Sequence, residues 1–236
     1  MAQEFELKVQ NIIQRSYSVK SVRINKPTEN LSYKAGQFLS VALNNVNCPK
    51  RYLSISSSPT ELGHIEFTKK ITGSDFSCTL DKLKEGDILK IQYPFGKFTL
   101  EDNPAEKIAF LSGGIGITPI RSIIKYAVDK KLVLDLVLIY ANRSVRDILF
   151  KEDFDAMQKD YPKLKVAHVL CEPAPDFKCV SGLINAQVIK NETPDYLERK
   201  FFLCGPPPMV EAMKQILIEE LHCPQANIVF ENFTGY

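Results

Sequence analysis

Three short stretches of this chain carry residue types with a chemical use. They are Arg51-Tyr52-Leu53-Ser54, Gly113-Gly114-Ile115-Gly116-Ile117-Thr118-Pro119 and Cys204-Gly205-Pro206-Pro207-Pro208-Met209. An arginine is always charged and pairs well with phosphate oxygens. On an ideal strand Arg51 and Ser54 face opposite sides, so serving one ligand together requires a bend. Taken alone, that stretch reads better as an ordinary surface strand. The glycine stretch sits between a strand ending at Ser112 and a helix opening at Thr118-Pro119. Backbone N–H groups and the helix dipole there favour a pyrophosphate, and glycines let it approach. Pro119 suits the first helical turn, where its missing N–H costs nothing. The spacing is neither Gly-x-Gly-x-x-Gly nor a P-loop, and a tight packing turn is the other reading. Cys204 stands where a late strand meets a helix, on the edge where α/β sheets bind ligands. It reads either as a small core residue or as a thiol beside a reacting ring; spacing does not decide. A further turn, Gly73-Ser74-Asp75-Phe76-Ser77, could also offer N–H groups to phosphates.

These stretches need two kinds of scaffold. The first hundred residues alternate apolar and polar positions between turn signals. Strands are expected within 5–21 and at 37–43, 51–56, 65–71 and 88–93, with one short helix over 78–83. Many short strands with a single small helix indicate an antiparallel Greek-key β-barrel. After the acidic, proline-bearing segment 101–106 the pattern becomes compact apolar strands alternating with helices. Strands are expected at 107–112, 132–140, 164–170, 200–204 and 228–230, with helices at 119–130, 150–159, 182–190 and 208–221. That alternation indicates a doubly wound parallel α/β sheet. The expected domains are 1–101 and 106–236.

The chain has 236 residues, 44% hydrophobic and 25% charged, ordinary values for a folded globular protein. A net charge of +2 offers no concentrated basic face for nucleic acid, and the cations between Lys20 and Lys34 read as solvated surface. No apolar run approaches the roughly 18 residues of a membrane-spanning helix. Met1-Ala2-Gln3-Glu4-Phe5-Glu6 does not read as a secretory signal. The six cysteines, at 48, 78, 171, 179, 204 and 223, include no Cys-x-x-Cys pair, which argues against a zinc or iron–sulfur site. Unpaired thiols fit a reducing, cytoplasmic setting.

In order, the three stretches resemble the ferredoxin–NADP reductase family, the flavin reductase modules of oxygenase reductases and flavohaemoglobins. The resemblance spans essentially the whole chain. It includes Gly36-Gln37-Phe38, Gly86-Asp87, Pro94-Phe95-Gly96, Tyr140-Ala141-Asn142-Arg143, Asp147-Ile148-Leu149-Phe150 and Glu231-Asn232-Phe233. It implies an FAD-binding barrel followed by an NAD(P)-binding α/β domain. Arg51 would bind the flavin pyrophosphate, with Tyr52 and Leu53 beside it and Ser54 near the ring system. Thr68 and Lys69 would lie along the flavin tail, and Asp75, Phe76 and Ser77 would close over its phosphates. Gly114, Ile115, Gly116 and Thr118 would meet the nicotinamide nucleotide, with Asn142 and Arg143 on its adenosine side. Gly205, Pro206 and Met209 would flank it. Cys204 and Glu231, with Ser54, would border the position of hydride transfer. Leu53 departs from the family, which usually has a flavin-stacking tyrosine there. Tyr236 resembles a terminal aromatic that covers the flavin, with a frayed tail as the other reading.

The resemblance further implies FAD over FMN, because 73–77 has the FAD-type phosphate turn. Where NADP-specific relatives carry Ser-Arg, this chain has Cys171-Glu172. A carboxylate repels a ribose phosphate and accepts from ribose hydroxyls, so NADH is favoured over NADPH. The implied activity is electron transfer from NAD(P)H through FAD to a separate carrier: ferredoxin, flavodoxin or an oxygenase component. A small-molecule flavin or quinone reductase and a non-catalytic flavin-binding subunit are the alternatives.

Overall fold

The structure is a computed structural model that describes residues 2–26, 32–43, 49–101 and 106–232, Asn232 by its backbone alone. Six strands form the first sheet: β1 (Gln3–Ser16), β2 (Val19–Asn25), β3 (Phe38–Ala42), β4 (Lys50–Ser54), β5 (His64–Lys70) and β6 (Ile88–Phe95). They lie in the order β4-β3-β6-β1-β2-β5, every neighbour antiparallel. Alternation sends Leu7 and Val9 of β1 and Leu89, Ile91 and Tyr93 of β6 into one apolar interior. Helix α1 (Asp75–Asp81) adds Phe76 and Leu80 to that interior. It starts earlier than the sequence pattern indicates, because Ser74 Oγ accepts from the Ser77 N–H at 3.3 Å and caps it.

The barrel is fastened where its two edge strands meet. Ile55 bridges Phe67, and the Ser56 and Ser57 amides donate to the Glu66 carbonyl at 2.8 and 3.3 Å. Continued past that bridge, the register would set Ser54 opposite Thr68 and Leu53 opposite Lys69. Among the described residues β4 and β5 do not pair there. The ladder therefore ends at that bridge, and the unpaired stretch beyond it, a slot between the two edge strands, is flanked by residues of the Arg51-Tyr52-Leu53-Ser54 stretch.

The second sheet holds β7 (Lys107–Gly113), β8 (Asp135–Asn142), β9 (Leu164–Leu170), β10 (Val180–Ser181), β11 (Lys200–Gly205) and β12 (Ile228–Asn232). All pairings are parallel, in the order β10-β9-β8-β7-β11-β12. Helices α2 (Ile117–Asp129) and α3 (Lys151–Asp160) cover one face, where Ile108, Phe110 and Phe202 point; α4 (Ala186–Glu192) and α5 (Pro207–Gln215) cover the other, with Ala109, Leu111 and Leu203. Burial on both faces explains the continuous apolar runs. Asn185 caps α4 by accepting from the Val188 N–H at 3.0 Å, which starts that helix after 182. The two-residue β10 has no signature in the sequence. The strand order reverses between β7 and β11, which makes their carboxyl ends the topological switch point. Among the described residues no helix is long and apolar enough to cross a membrane.

Helix α2 is buried on both flanks because the barrel lies against it. Gly36 sits at φ +93°, where a Cβ would reach 2.8 Å from Ile123 Cδ1 and overlap the Phe98 carbonyl oxygen. Arg121 and Ser122 supply the polar contacts. Arg121 donates to the Ser56 carbonyl at 3.1 Å and pairs with Glu61 and Asp153, while Ser122 Oγ donates to the Ser57 carbonyl at 2.6 Å. Burial works against the Arg121 charge, yet Glu61 and Asp153 more than offset it and raise its pKa.

Candidate active site

At the switch point Ser112 of β7, Cys204 of β11 and Glu231 of β12 stand in one row by strand register. Ser54, at the end of β4, approaches Glu231 from the barrel. Gly96, following β6, completes the approach: a Cβ there would lie 2.7 Å from Phe38 Cδ1 and 3.8 Å from Glu231 Oε1. Ser54 Oγ, Ser112 Oγ and Glu231 Oε2 are buried without a hydrogen bond of normal geometry. Buried polar atoms are seldom left so, and a cluster of them marks a place built for polar ligand atoms. Burial pushes the Glu231 carboxyl up to about 7, with the Ser54 hydroxyl pulling the other way. Burial, and then the Glu231 charge, hold the Cys204 thiol well above its usual range. Cys204 is therefore a neutral thiol, suited to contact and positioning rather than nucleophilic attack. Ser112 is the residue that sequence spacing missed; a lone serine at a strand end carries no motif, although its place directly before the glycines is a usable signal.

Arg51 faces the other way along β4, as alternation requires. Its guanidinium lies 5.6 Å from the centre of the Phe76 ring, and its Nη1 donates to the Lys50 carbonyl at 3.0 Å. Lys69 shares this region. Burial, then Arg51, then Lys70 lower its pKa, and its Nζ donates to the Lys70 carbonyl at 2.8 Å. Two cations held within reach of each other at the slot make a cradle for an anion. Ser77 is buried, its Oγ 3.0 Å from Thr72 Oγ1. Asp75 opens α1 at the surface, with Phe76 next to it buried in the barrel end. The Thr68 hydroxyl turns inward to Ser21 and Ser56 at 2.7 and 2.8 Å. Leu53 is buried beside Leu39. Tyr52 lies on the outer surface, edge-on to Phe38 and Phe95 at 5.7 and 5.8 Å.

A cleft of about 290 Å³ runs between the two sheets' domains. Gly114, Ile115, Asn142, Arg143, Pro206 and Met209 line it from the α/β side. The β1–β2 turn at Ser16–Val19 and Lys70 line it from the barrel, a contribution no motif announces because tertiary packing alone brings that turn there. Gly114 has φ +52° and nothing within 4 Å of its would-be Cβ, so a ligand can reach the backbone. The other glycines serve close packing: a Cβ on Gly113 would overlap Met209 Sδ, and one on Gly205 would lie 3.2 Å from the same atom. Thr118 Oγ1 donates to the Ile115 carbonyl at 3.1 Å and fixes the turn. The Asn142 amide is buried near Tyr140 without a partner of normal geometry. Arg143 Nε donates to Glu172 at 2.8 Å on the surface. Tyr236 lies outside the described residues.

This arrangement fits two nucleotide cofactors. The slot and its cations suit a flavin dinucleotide, and the glycine turn and cleft suit a nicotinamide dinucleotide. The buried oxygens of Ser54, Ser112 and Glu231 lie at the switch point, where the barrel meets the parallel sheet. Comparison with known proteins agrees. Residues 4–100 match the family described as oxidoreductase FAD-binding domain, and residues 110–215 match oxidoreductase NAD-binding domain. The chain is 35% identical over 191 residues to the glycine betaine monooxygenase reductase subunit of Pseudomonas aeruginosa, covering 78% of this chain and 52% of that protein. It thus spans about half the length of that curated relative. It is 31% identical over 224 residues to NADH-cytochrome b5 reductase 1 of Aspergillus terreus, covering 90% and 76% respectively. Its fold matches the cytochrome b5 reductase domain of Ulva prolifera nitrate reductase with a TM-score of 0.84, at 22% identity over 97% of each chain. The chain belongs to the ferredoxin–NADP reductase-like family of oxidoreductases, with an FAD-binding barrel joined to an NAD-binding α/β domain.

Proposed function

We propose that this protein oxidises NADH at its FAD and passes the electrons to a separate protein acceptor such as an oxygenase component, a ferredoxin or a flavodoxin. The observation that carries the reading is the row Ser112–Cys204–Glu231 facing Ser54, with its buried oxygens that lack hydrogen bonds of normal geometry. Bound FAD would supply the conversion of a hydride into single-electron steps, chemistry the side chains lack. The chain supplies the geometry. Arg51 and Lys69 hold the flavin diphosphate, with α1 behind them. The Gly114 turn, Asn142 and the cleft hold the nicotinamide nucleotide. Neutral Cys204 would border the reacting position without adding charge, and Glu231, poised near neutrality, can hold or release a proton next to the Ser54 hydroxyl. Holding the two reactants in position would account for most of the acceleration such a site provides.

The domains implied are 1–101 for FAD and 106–236 for NAD. The surface pairing of Arg143 with Glu172 supports NADH over NADPH, because the carboxylate occupies the cation a ribose phosphate would need. The free described cysteines support a cytoplasmic setting. The oxygenase-component reading draws on the reductase subunit to which the chain is similar.

The test is the purified protein itself. It should be yellow, bleach anaerobically with NADH faster than with NADPH, and then reduce a ferredoxin faster than a free quinone. Colourless protein that takes up no FAD overturns the reading. Preference for the quinone moves it to a small-molecule reductase.

A further inference from the structure

Phe150 combines features that neither cofactor explains. It precedes α3 with φ 58° and ψ 28°, a left-handed conformation that bulky side chains avoid. Its ring is buried between two cations from different domains. The Arg15 guanidinium of β1 lies 4.7 Å from the ring centre, and that of Arg121 in α2 lies 5.5 Å from it. Each cation is itself anchored. Arg15 pairs with buried Glu66 at 3.0 Å and donates to Ser21 Oγ at 2.9 Å; Arg121 spans Glu61, Asp153 and the Ser56 carbonyl. Neither guanidinium is free to follow the ring, so the ring must fit between them.

The same segment reaches the nucleotide cleft. Asp147 and Leu149 line it. The Leu149 N–H donates to the Tyr140 hydroxyl at 3.4 Å, and that hydroxyl donates to the Gly114 carbonyl at 2.9 Å. One residue thus joins the wedge to the glycine turn.

We propose that Phe150 is a positioning residue for hydride transfer: wedged between Arg15 of the barrel and Arg121 of the α/β domain, it sets the angle at which the glycine turn faces the barrel. This rests on the oxidoreductase reading above. A strained backbone persists only where its surroundings over-determine it, and two anchored cations on one ring do so. Leucine in place of phenylalanine keeps an apolar side chain but loses the cation–π attraction that fixes both guanidinium planes. The domains then settle at a slightly different angle. Displacement of reacting atoms by about 1 Å costs on the order of a hundredfold in rate, so partial loosening reads as at least about tenfold.

The test compares FAD-loaded wild type, Phe150→Leu, Phe150→Tyr and Tyr140→Phe by rapid anaerobic mixing with NADH, normalising the bleaching rate to bound flavin. Amide hydrogen exchange of segment 56–61 on the same proteins provides a readout independent of activity. Expected are at least a tenfold slower rate per flavin in F150L, recovery to within threefold of wild type in F150Y, and an unchanged flavin midpoint potential throughout. Segment 56–61 exchanges faster in F150L alone. Y140F, which keeps the wedge and cuts its link to Gly114, slows the rate without loosening 56–61. An F150L rate equal to wild type, or one that falls only as flavin is lost, overturns the proposal. If F150L does not fold, a wild-type rate in Y140F overturns it and a slowed one upholds it. Wild type that NADH fails to bleach overturns the oxidoreductase reading and this proposal with it; bleaching wild type with an unimpaired F150L overturns only the wedge.

Discussion

The backbone of Gly116 runs so close to Cys204 that any Cβ on the glycine would overlap the Cys204 carbonyl oxygen. Gly116 has φ −61° and ψ −10°, which any residue adopts, so the demand for glycine here is steric alone. This contact holds the start of α2 against the end of β11, next to the cleft-lining Gly114 and Ile115.

Gly116→Ala therefore forces two backbones apart. Overpacking of this kind costs roughly 1–3 kcal/mol, or about 2–4 °C in Tm per kcal/mol for a chain of this size. The Kd for NAD+, read by titration, should rise with it. Gly114→Ala is the contrast: it has open space but a positive φ, and should cost only about 1 kcal/mol of backbone strain. Equal Tm losses in the two variants would contradict this division of roles.

Glu231 makes stability depend on pH. Its pKa rises from 4.5 in the open chain to about 7 in the fold. Between those values the folded protein binds more protons than the unfolded one, so stability falls as pH rises through that window. Above it, wild type carries a buried charge that Glu231→Gln lacks. The Tm advantage of E231Q should be smallest near pH 5 and largest at pH 8. A difference that stays flat across this range would remove the perturbed carboxyl.

We propose Arg51 as a ligand of the flavin diphosphate. A charge-assisted hydrogen bond contributes about 1.5–3 kcal/mol, so Arg51→Ala should raise the FAD Kd on the order of tenfold to a hundredfold. Flavin retained after gel filtration measures it. Equal flavin content in mutant and parent would refute the placement, and the NAD+ Kd of the reloaded variant should stay unchanged.

Glu172 holds Arg143 at 2.8 Å on the rim of the nucleotide cleft. Glu172→Gln releases the guanidinium for a ribose phosphate. The ratio of kcat/KM for NADPH to that for NADH should rise about tenfold, equivalent to about 1.4 kcal/mol. No movement in that ratio would place donor selectivity elsewhere.

What sequence makes legible follows from how local each device is. The glycine turn is readable because a strand, a turn and a proline-started helix are contiguous. The opposite facing of Arg51 and Ser54 is readable from strand alternation; that Arg51 meets Phe76 while Ser54 meets Glu231 depends on tertiary packing. Starts of α1 and α4 shift because single side-chain caps, from Ser74 and Asn185, outweigh helical propensity. Ser112 and the β1–β2 turn escape notice because only tertiary packing brings them to the cleft. Phe150 looks in sequence like one more apolar residue opening a helix.

Val19, Ala35 and Phe98 belong to the barrel half of the chain, yet their side chains lie in the same apolar cluster as Phe110, Ile123 and Phe202. Heating should accordingly melt the protein in one calorimetric transition, its two halves lost together. Either half expressed by itself would bare a greasy surface and precipitate, because each leans on the other for part of its interior.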